Sequence, residues 1–227
     1  MKLDTWMTFY ARICSDFGFE QAADLESAKV LANMLGKDGS ESLHSAKGRI
    51  ADVMLVCGGA DVLEDEISSI AVRWPVVASD SATTNLLESG ITPDIIVTDL
   101  DGVIEDQIDA NAGGVPVFIH AHGDNKNAIE RYVKRFKGTV VGTCQCAPPP
   151  NLFNFGGFTD GDRAACICSE LGAKTILLAG FDFENPSDKP GRSRDVKKRK
   201  LHWARTILDE LESEGVKVIP VGDYRDR

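Results

Sequence analysis

The sequence contains no long apolar run. No stretch of its 227 residues approaches the roughly 20 apolar residues that a membrane-spanning helix needs. The first residues, MKLDTWMTFYARICSDFGFE, include acidic side chains and lack the apolar segment of a secretory leader. These absences predict a cytoplasmic protein without a membrane partner.

Positive charge and the common nucleotide-binding motifs are also scarce. The chain has 25 Lys+Arg against 35 Asp+Glu, for a formal net charge of -10. Nucleic acid would be repelled over most of such a surface, so no nucleic-acid partner is expected. Neither a GxxxxGK(S/T) loop nor a GxGxxG loop is present. A small anionic ligand would therefore need a metal ion and a local basic patch.

The cysteine spacing favours packing over metal binding. Six cysteines are present, and four of them form the pairs Cys144/Cys146 and Cys166/Cys168. A single residue between two cysteines is tighter than the usual spacing of a structural zinc site. Cys166 and Cys168 also lie in a helical pattern, where residues two apart face different directions. Zinc is kept only as the lesser alternative to packed, reduced thiols.

The rest of the chain alternates short apolar runs with amphipathic stretches. Residues 1–49 have helical periodicity, clearest from Glu20 to Leu35, where Gly36 offers a stop. The strand candidates that follow are 51–57, 75–79, 94–98, 115–121, 138–143, 174–180 and 216–221. Almost wholly apolar strands separated by helices predict an α/β fold, a mostly parallel, doubly wound (Rossmann-like) sheet. We expect an N-terminal helical cap over 1–49 and an α/β catalytic domain over 50–227.

The densest polar motif is PDIIVTDLDG, from Pro93 to Gly102. Asp99 and Asp101 at a strand end can both meet one hard cation, and Asp80 after the neighbouring strand would be a third ligand. Ligands of parallel sheets bind at this carboxyl edge. Mg²⁺ fits, because it takes one or two carboxylates beside substrate phosphates. The alternative is a turn whose aspartates cap the next helix.

A second motif, HAHGDN, links a strand to a helix. Gly123 permits close backbone approach, and N–H groups at a helix start favour an anion. We therefore expect nucleotide contacts from His122, Gly123 and Asn125. Asp124 either joins the metal site or caps the helix. For His120 a packing role is favoured.

Further candidate nucleotide contacts follow the later strands. Gln145 follows the fifth strand candidate. In NFGGFTDGDRA, Thr159 and Asp162 predict a capping box, and the preceding glycines with Arg163 indicate phosphate contact in addition. The basic run KPGRSRDVKKRK, 189–200, is mostly a solvated helix face. The functional alternative is that one or two of its basic residues reach over the active site to a triphosphate. A glycine-containing loop closing over ATP would also exclude water. The residues singled out in these two segments are Thr159, Asp160, Arg163, Lys197 and Lys200.

Together these motifs resemble a known family. The set VASDSATTNLLESGITPDIIVTDLDG, HAHGDN, GTCQ, NFGGFTDGDRA, LGAKTILLAGFDF and KKRKLHWA is similar to the archaeal 6-hydroxymethyl-7,8-dihydropterin pyrophosphokinases, the MptE-like family. The resemblance covers most of 51–227. Part of the pattern is also similar to thiamine pyrophosphokinases, although Asp80-Ser81-Ala82 replaces the usual Asp-Gly-Ala.

The resemblance implies a reaction and a set of roles. ATP and 6-hydroxymethyl-7,8-dihydropterin would give AMP and the pterin diphosphate, with Mg²⁺ held by Asp99 and Asp101. Asp80 and Asp124 would make further metal contacts. Arg163 and a basic residue from 192–200, with Lys197 and Lys200 the candidates, would balance charge. Asn85 and Asp182 would hydrogen-bond the pterin.

Several alternatives stay open at this point. A thiamine pyrophosphokinase-like enzyme would use the same motifs. A D-x-D glycosyltransferase, or a phosphatase of the haloacid-dehalogenase type, would use the same acidic pair. A nucleotide- or metal-binding module without turnover would keep only the scaffold. Homo-oligomer formation is left undecided.

Overall fold

Seven strands and nine α-helices form the part of the chain that the computed structural model describes, residues 1–36, 39–70, 72–184 and 193–225. The strands are β1 (Val53–Cys57), β2 (Val76–Ser79), β3 (Ile95–Thr98), β4 (Val117–Ala121), β5 (Val140–Cys144), β6 (Thr175–Ala179) and β7 (Lys217–Pro220). The helices are α1 (Leu3–Phe17), α2 (Gln21–Leu35), α3 (Ser40–Lys47), α4 (Leu63–Ser68), α5 (Ala82–Glu88), α6 (Ile104–Ala112), α7 (Lys126–Tyr132), α8 (Asp160–Leu171) and α9 (Arg194–Ser213). None of the helices in these ranges is long and apolar enough to cross a bilayer.

All seven strands pair in parallel, in the order β5-β4-β3-β2-β1-β6-β7. The chain adds strands outward from β1 to β5 and then crosses back to place β6 on the other side of β1. Because crossovers between parallel strands are nearly always right-handed, this reversal of direction puts helices on both faces of the sheet. The predicted doubly wound α/β fold is confirmed, and every predicted strand is present.

Helix α8 lies under the centre of the sheet, against β1, β2, β3 and β6. Its small residues permit this close approach, and Cys166 and Cys168 are completely buried within it. Burial raises the pKa of Cys168 to about 12. All six cysteines are buried and unbridged. The apolar side chains of α8 and of the strands form one continuous core.

The N-terminal helices pack onto the sheet layer. Helix α2 contacts β4, β5 and α7, and it ends at Gly36 in the left-handed conformation, φ 61°. Helix α1 contacts α9, where Trp203 Nε1 donates to Asp16 Oδ2 at 2.9 Å. These contacts bring α2 close to the carboxyl ends of β4 and β5.

Candidate active site

Three aspartates meet beyond the carboxyl ends of two neighbouring strands. Asp80 follows β2, and Asp99 and Asp101 follow β3. One oxygen from each lies within 4.8 Å of the other two. Because β2 and β3 are parallel and pair Ser79 with Val97, the residues just beyond them reach the same edge of the sheet. We call these three residues the acidic cluster.

Backbone strain and hydrogen bonds fix the acidic cluster. Asp80 and Leu100 have positive φ, 40° and 68°, which is uncommon outside glycine. Thr98 Oγ1 and Gln107 Nε2 donate to Asp80 Oδ1 at 2.6 and 3.1 Å. A Cβ at Gly102 would lie 2.6 Å from Asp80 Oδ2, so the glycine of DLDG makes room for this carboxylate.

Burial and mutual repulsion shape the charges of the acidic cluster. Burial, followed by the charge of Asp99, raises the pKa of Asp80 to about 7. Burial alone would also raise the pKa of Asp99, but the hydrogen bond from His122 and the charges of Arg163 and Lys200 lower it. Asp99 Oδ1 is buried without a hydrogen-bond partner. An orphaned carboxylate oxygen among three converging carboxylates is a donor set that fits a hard divalent cation.

In the loop after β4, one histidine side chain contacts a carboxylate of the acidic cluster. His122 Nε2 lies 3.3 Å from Asp99 Oδ2. Asn125 is buried and donates to the carbonyls of Asp99 and His120 at 2.8 and 2.6 Å, while its own oxygen accepts from His122 N at 3.0 Å. Its amide is thus engaged within the protein rather than turned to a ligand.

Two other residues of this loop also differ in setting from the sequence expectation. The Gly123 N–H, expected to face an anion, donates to Asp24 Oδ1 at 2.7 Å. Asp124 is exposed and lies outside the acidic cluster. Two HAHGDN side chains therefore contact the cluster: His122 reaches the carboxylate of Asp99, and Asn125 reaches its backbone carbonyl.

The amino end of α8 brings an arginine and a fourth aspartate near the cluster. The predicted capping box between Thr159 and Asp162 is confirmed. Arg163 is buried, pairs with Asp160 Oδ1 at 2.6 Å and donates to Phe158 O at 3.0 Å. Burial, and then the charge of Asp99, raises the pKa of Asp160 well above its usual range. Arg163 Nε is buried and unpartnered.

The remaining candidates are spread around this centre. Gln145 is buried and donates to Asp24 Oδ2 at 2.9 Å. On α9, Lys197 and Lys200 are half-buried, and Lys200 Nζ lies 5.7 Å from the ring centroid of Phe158. The glycine-containing loop expected to close over ATP falls largely in 185–192, outside the described residues.

The two residues assigned to the pterin lie on separate elements. Asn85 is exposed on α5. Asp182 is half-buried in the segment after β6 and accepts from Glu184 N at 3.0 Å. That segment adjoins the point where the strand order reverses, a usual ligand position in such sheets. Their role in substrate binding stays a prediction.

Sequence reasoning missed the support around the cluster. Thr98 and Gln107 hold Asp80. Thr98 lies within PDIIVTDLDG, but the motif does not indicate this role, and Gln107 lies in no motif. His120, by contrast, was expected to pack, and it is buried, with Nδ1 3.0 Å from Thr143 Oγ1. Burial lowers the pKa of its imidazole well below the usual range. The carboxylate of Asp24 was missed entirely, because it reaches the site from a helix far away in the sequence.

Curated relatives match nearly the whole chain. Three proteins named 6-hydroxymethyl-7,8-dihydropterin pyrophosphokinase are similar, from Methanothermobacter thermautotrophicus, Pyrococcus furiosus and Methanocaldococcus jannaschii. Their identities are 40%, 38% and 34%, and the matches cover 95%, 95% and 94% of this chain and 97%, 96% and 97% of theirs. With the parallel α/β fold and its acidic cluster, these relatives define the chain as an enzyme of the pyrophosphokinase class, a diphosphotransferase.

The family model described as 6-hydroxymethylpterin diphosphokinase MptE-like matches residues 27–188, and the chain belongs to this family. A solved structure described as a probable thiamine pyrophosphokinase from Staphylococcus saprophyticus overlaps 74% of this chain and 64% of its own. Its TM-score is 0.39 at 19% identity, too loose to bear on function.

Proposed function

We propose that the chain transfers the diphosphate of ATP to the hydroxymethyl oxygen of 6-hydroxymethyl-7,8-dihydropterin and releases AMP, with Mg²⁺ required. The names of the relatives support the pterin as substrate and the transfer of a diphosphate. The observation that carries the proposal is the convergence of Asp80, Asp99 and Asp101 at one edge of the sheet. Carboxylates gathered this closely repel one another unless a cation or protons neutralise them.

The donors of the acidic cluster suit magnesium. All three are carboxylate oxygens, the ligand type that Mg²⁺ prefers, and the unpartnered Asp99 Oδ1 leaves a buried acceptor to be satisfied. Bound there, Mg²⁺ would neutralise charge on the polyphosphate. Asp99 and Asp101 are the principal ligands in this proposal, with Asp80 beside them.

The other residues position and balance charge. In the reaction the bond from the β-phosphorus to the AMP oxygen breaks, a bond to the hydroxymethyl oxygen forms, and the hydroxyl proton leaves. Such a transfer depends on alignment and electrostatics more than on a covalent intermediate. Arg163, held by Asp160, and Lys200 supply positive charge near Asp99, since both lower its pKa. His122 orients the Asp99 carboxylate.

The direct test is product analysis. The protein is incubated with ATP, MgCl₂ and the reduced hydroxymethylpterin, and the products are identified by mass spectrometry. We expect AMP and the pterin diphosphate in equal amounts. ADP with a monophosphorylated pterin would contradict the proposal. So would turnover of thiamine in place of the pterin, which would favour the thiamine-type alternative.

Substitution of the cluster tests the site itself. Asp99→Asn and Asp101→Asn each remove a charge with little change of volume, so the fold should persist while kcat falls by about a hundredfold or more. Asp52→Asn is the matched control, because Asp52 is exposed, precedes β1 and pairs with Lys174 at 2.9 Å. Its kcat should equal that of the wild type. Full activity in either cluster variant would remove the proposed metal site.

A further inference from the structure

The buried carboxylate of Asp24 joins three segments that are distant in the sequence. It lies on α2, is 3% exposed and accepts from Tyr10 Oη at 2.6 Å, Gln145 Nε2 at 2.9 Å and Gly123 N at 2.7 Å. All three donors are neutral. Burying a carboxylate is costly, and packing alone would be served better by an apolar side chain. The three hydrogen bonds offset that cost and fix the position of each donor.

The bond to Gly123 acts on the acidic cluster through the adjacent residue. His122, the neighbour of Gly123, lies 3.3 Å from Asp99 Oδ2. The Asn125 side chain holds His122 N at 3.0 Å, so the backbone of His122 is restrained on both sides. A Cβ at Gly123 would lie 3.1 Å from Ala23 Cβ. The glycine therefore allows α2 to approach closely enough for Asp24 to reach the loop.

The second oxygen of Asp24 ties this contact to the rest of the molecule. Asp24 Oδ2 accepts from both Tyr10 and Gln145. Gln145 follows β5, and its carbonyl accepts from Trp6 Nε1 of α1 at 2.8 Å. The carboxylate is thus held by α1 and by the segment after β5, and its first oxygen is aimed at Gly123. The loop that contains Gly123 is therefore held in place by elements other than the strand that it follows.

We infer that Asp24 is a positioning residue of the diphosphotransferase site: from helix α2 it holds the loop 122–125 so that His122 stays against Asp99. The N-terminal helices then take part in ordering the site as well as covering the sheet. The family match begins at residue 27 and does not include Asp24. Of the two tests of this inference, only the kinetic one rests on the proposed function.

The kinetic test compares two substitutions of unequal severity. Asp24→Ala removes all three acceptor contacts, whereas Asp24→Asn keeps one oxygen for the Gly123 N–H and turns an amide toward Gln145 and Tyr10. We expect kcat to fall by about tenfold or more in Asp24→Ala and by less in Asp24→Asn, with KM for ATP little changed. Ile207→Val, which removes a methyl from a fully buried residue of α9, is the core control. Its kcat per folded molecule should match the wild type.

A spectroscopic readout separates positioning from stability. Side-chain ¹⁵N resonances of His122 report its contact with Asp99 without any substrate. We expect them to move in Asp24→Ala, to move less in Asp24→Asn and to stay in place in Ile207→Val. Unmoved His122 resonances together with kcat within about twofold of the wild type would overturn the inference.

The same measurements remain decisive in less favourable cases. If Asp24→Ala does not fold, the nearly isosteric Asp24→Asn is judged by both readouts. If the wild-type protein forms no pterin diphosphate, the proposed function fails, and the His122 resonances still test whether Asp24 positions the loop.

Discussion

Asp80 makes the stability of the unliganded protein depend on pH. Burial, and then the charge of Asp99, raises its pKa to about 7 in the folded protein, against about 4 in an unfolded chain. Between these values the folded state holds a proton that the unfolded state has lost. Stability therefore declines as pH rises from about 4 to about 7 and levels off above that window.

Asp80→Asn should remove this decline. The variant cannot ionise, and its oxygen can still accept from Thr98 and Gln107, which now hold Asp80 Oδ1. Relative to the wild type, its free energy of unfolding should increase by a few kcal/mol, to order of magnitude, between pH 4.5 and 7.5. Urea unfolding in EDTA measures the difference. In the control Asp52→Asn, the free energy of unfolding relative to the wild type should not vary with pH. A difference that does not vary with pH would show that Asp80 ionises normally.

Some of the site residues can be predicted from the sequence, and others cannot. Asp99 and Asp101 can be found because two carboxylates follow an apolar strand, and parallel strands end at a common edge. Asp24 cannot, since it is separated by 99 positions from the N–H that it binds. Its neighbours in α2 carry no motif, and only the packing of α2 beside β4 and β5 brings it to the loop.

The amino end of α8 depends on a glycine that no other residue can replace. Gly157 has φ +93°, and a Cβ there would lie 2.2 Å from Arg163 Cα, a backbone atom that cannot turn away. Gly172, just past the other end of α8, has φ +121°, and a Cβ there would meet open space. The two positions therefore separate backbone strain from steric overlap.

Gly157→Ala should reduce both stability and activity, and Gly172→Ala stability alone. Strain at either site costs on the order of 1–2 kcal/mol, but at Gly157 the overlap also displaces Arg163, which pairs with Asp160 beside the cluster. Urea unfolding and kcat of the two variants give the comparison. Equal kcat values in the two variants would mean that the turn before α8 does not position Arg163.

Strands and helices could be predicted from the sequence best where their side chains are buried along the whole element. The five interior strands, β1 to β4 and β6, are buried along nearly their whole length, so their sequences are almost continuously apolar and stand out. Helix ends are less distinct in the sequence than strand ends. The helical pattern after HAHGDN gives no sign of a break, yet α7 ends at Tyr132 and a 3₁₀ turn, Val133–Arg135, follows. The contacts of α1 and α2 could not be predicted, because they depend on surfaces formed only after folding.

Binding of a cation at the acidic cluster should change the free energy of unfolding of the whole protein. The protein carries a net charge of -10. Burial, and then the charge of Asp99, raises the pKa of Asp80 and Asp160. A ligand that binds only the folded state stabilises it in proportion to the logarithm of its concentration. Cation and nucleotide should therefore act together on the stability of the entire molecule.

Mg²⁺ with a non-hydrolysable ATP analogue should raise the melting temperature. At a concentration of about 100 times Kd the gain is about 2.7 kcal/mol, which for a chain of this size corresponds to a rise on the order of 5–10 °C. Differential scanning fluorimetry should show the rise in the wild type and in Asp52→Asn, and show little in EDTA or in Asp99→Asn. An equal rise in EDTA would mean that the nucleotide is held without the cation. The acidic cluster would then have a role other than gripping phosphates through a metal, since carboxylates alone repel them.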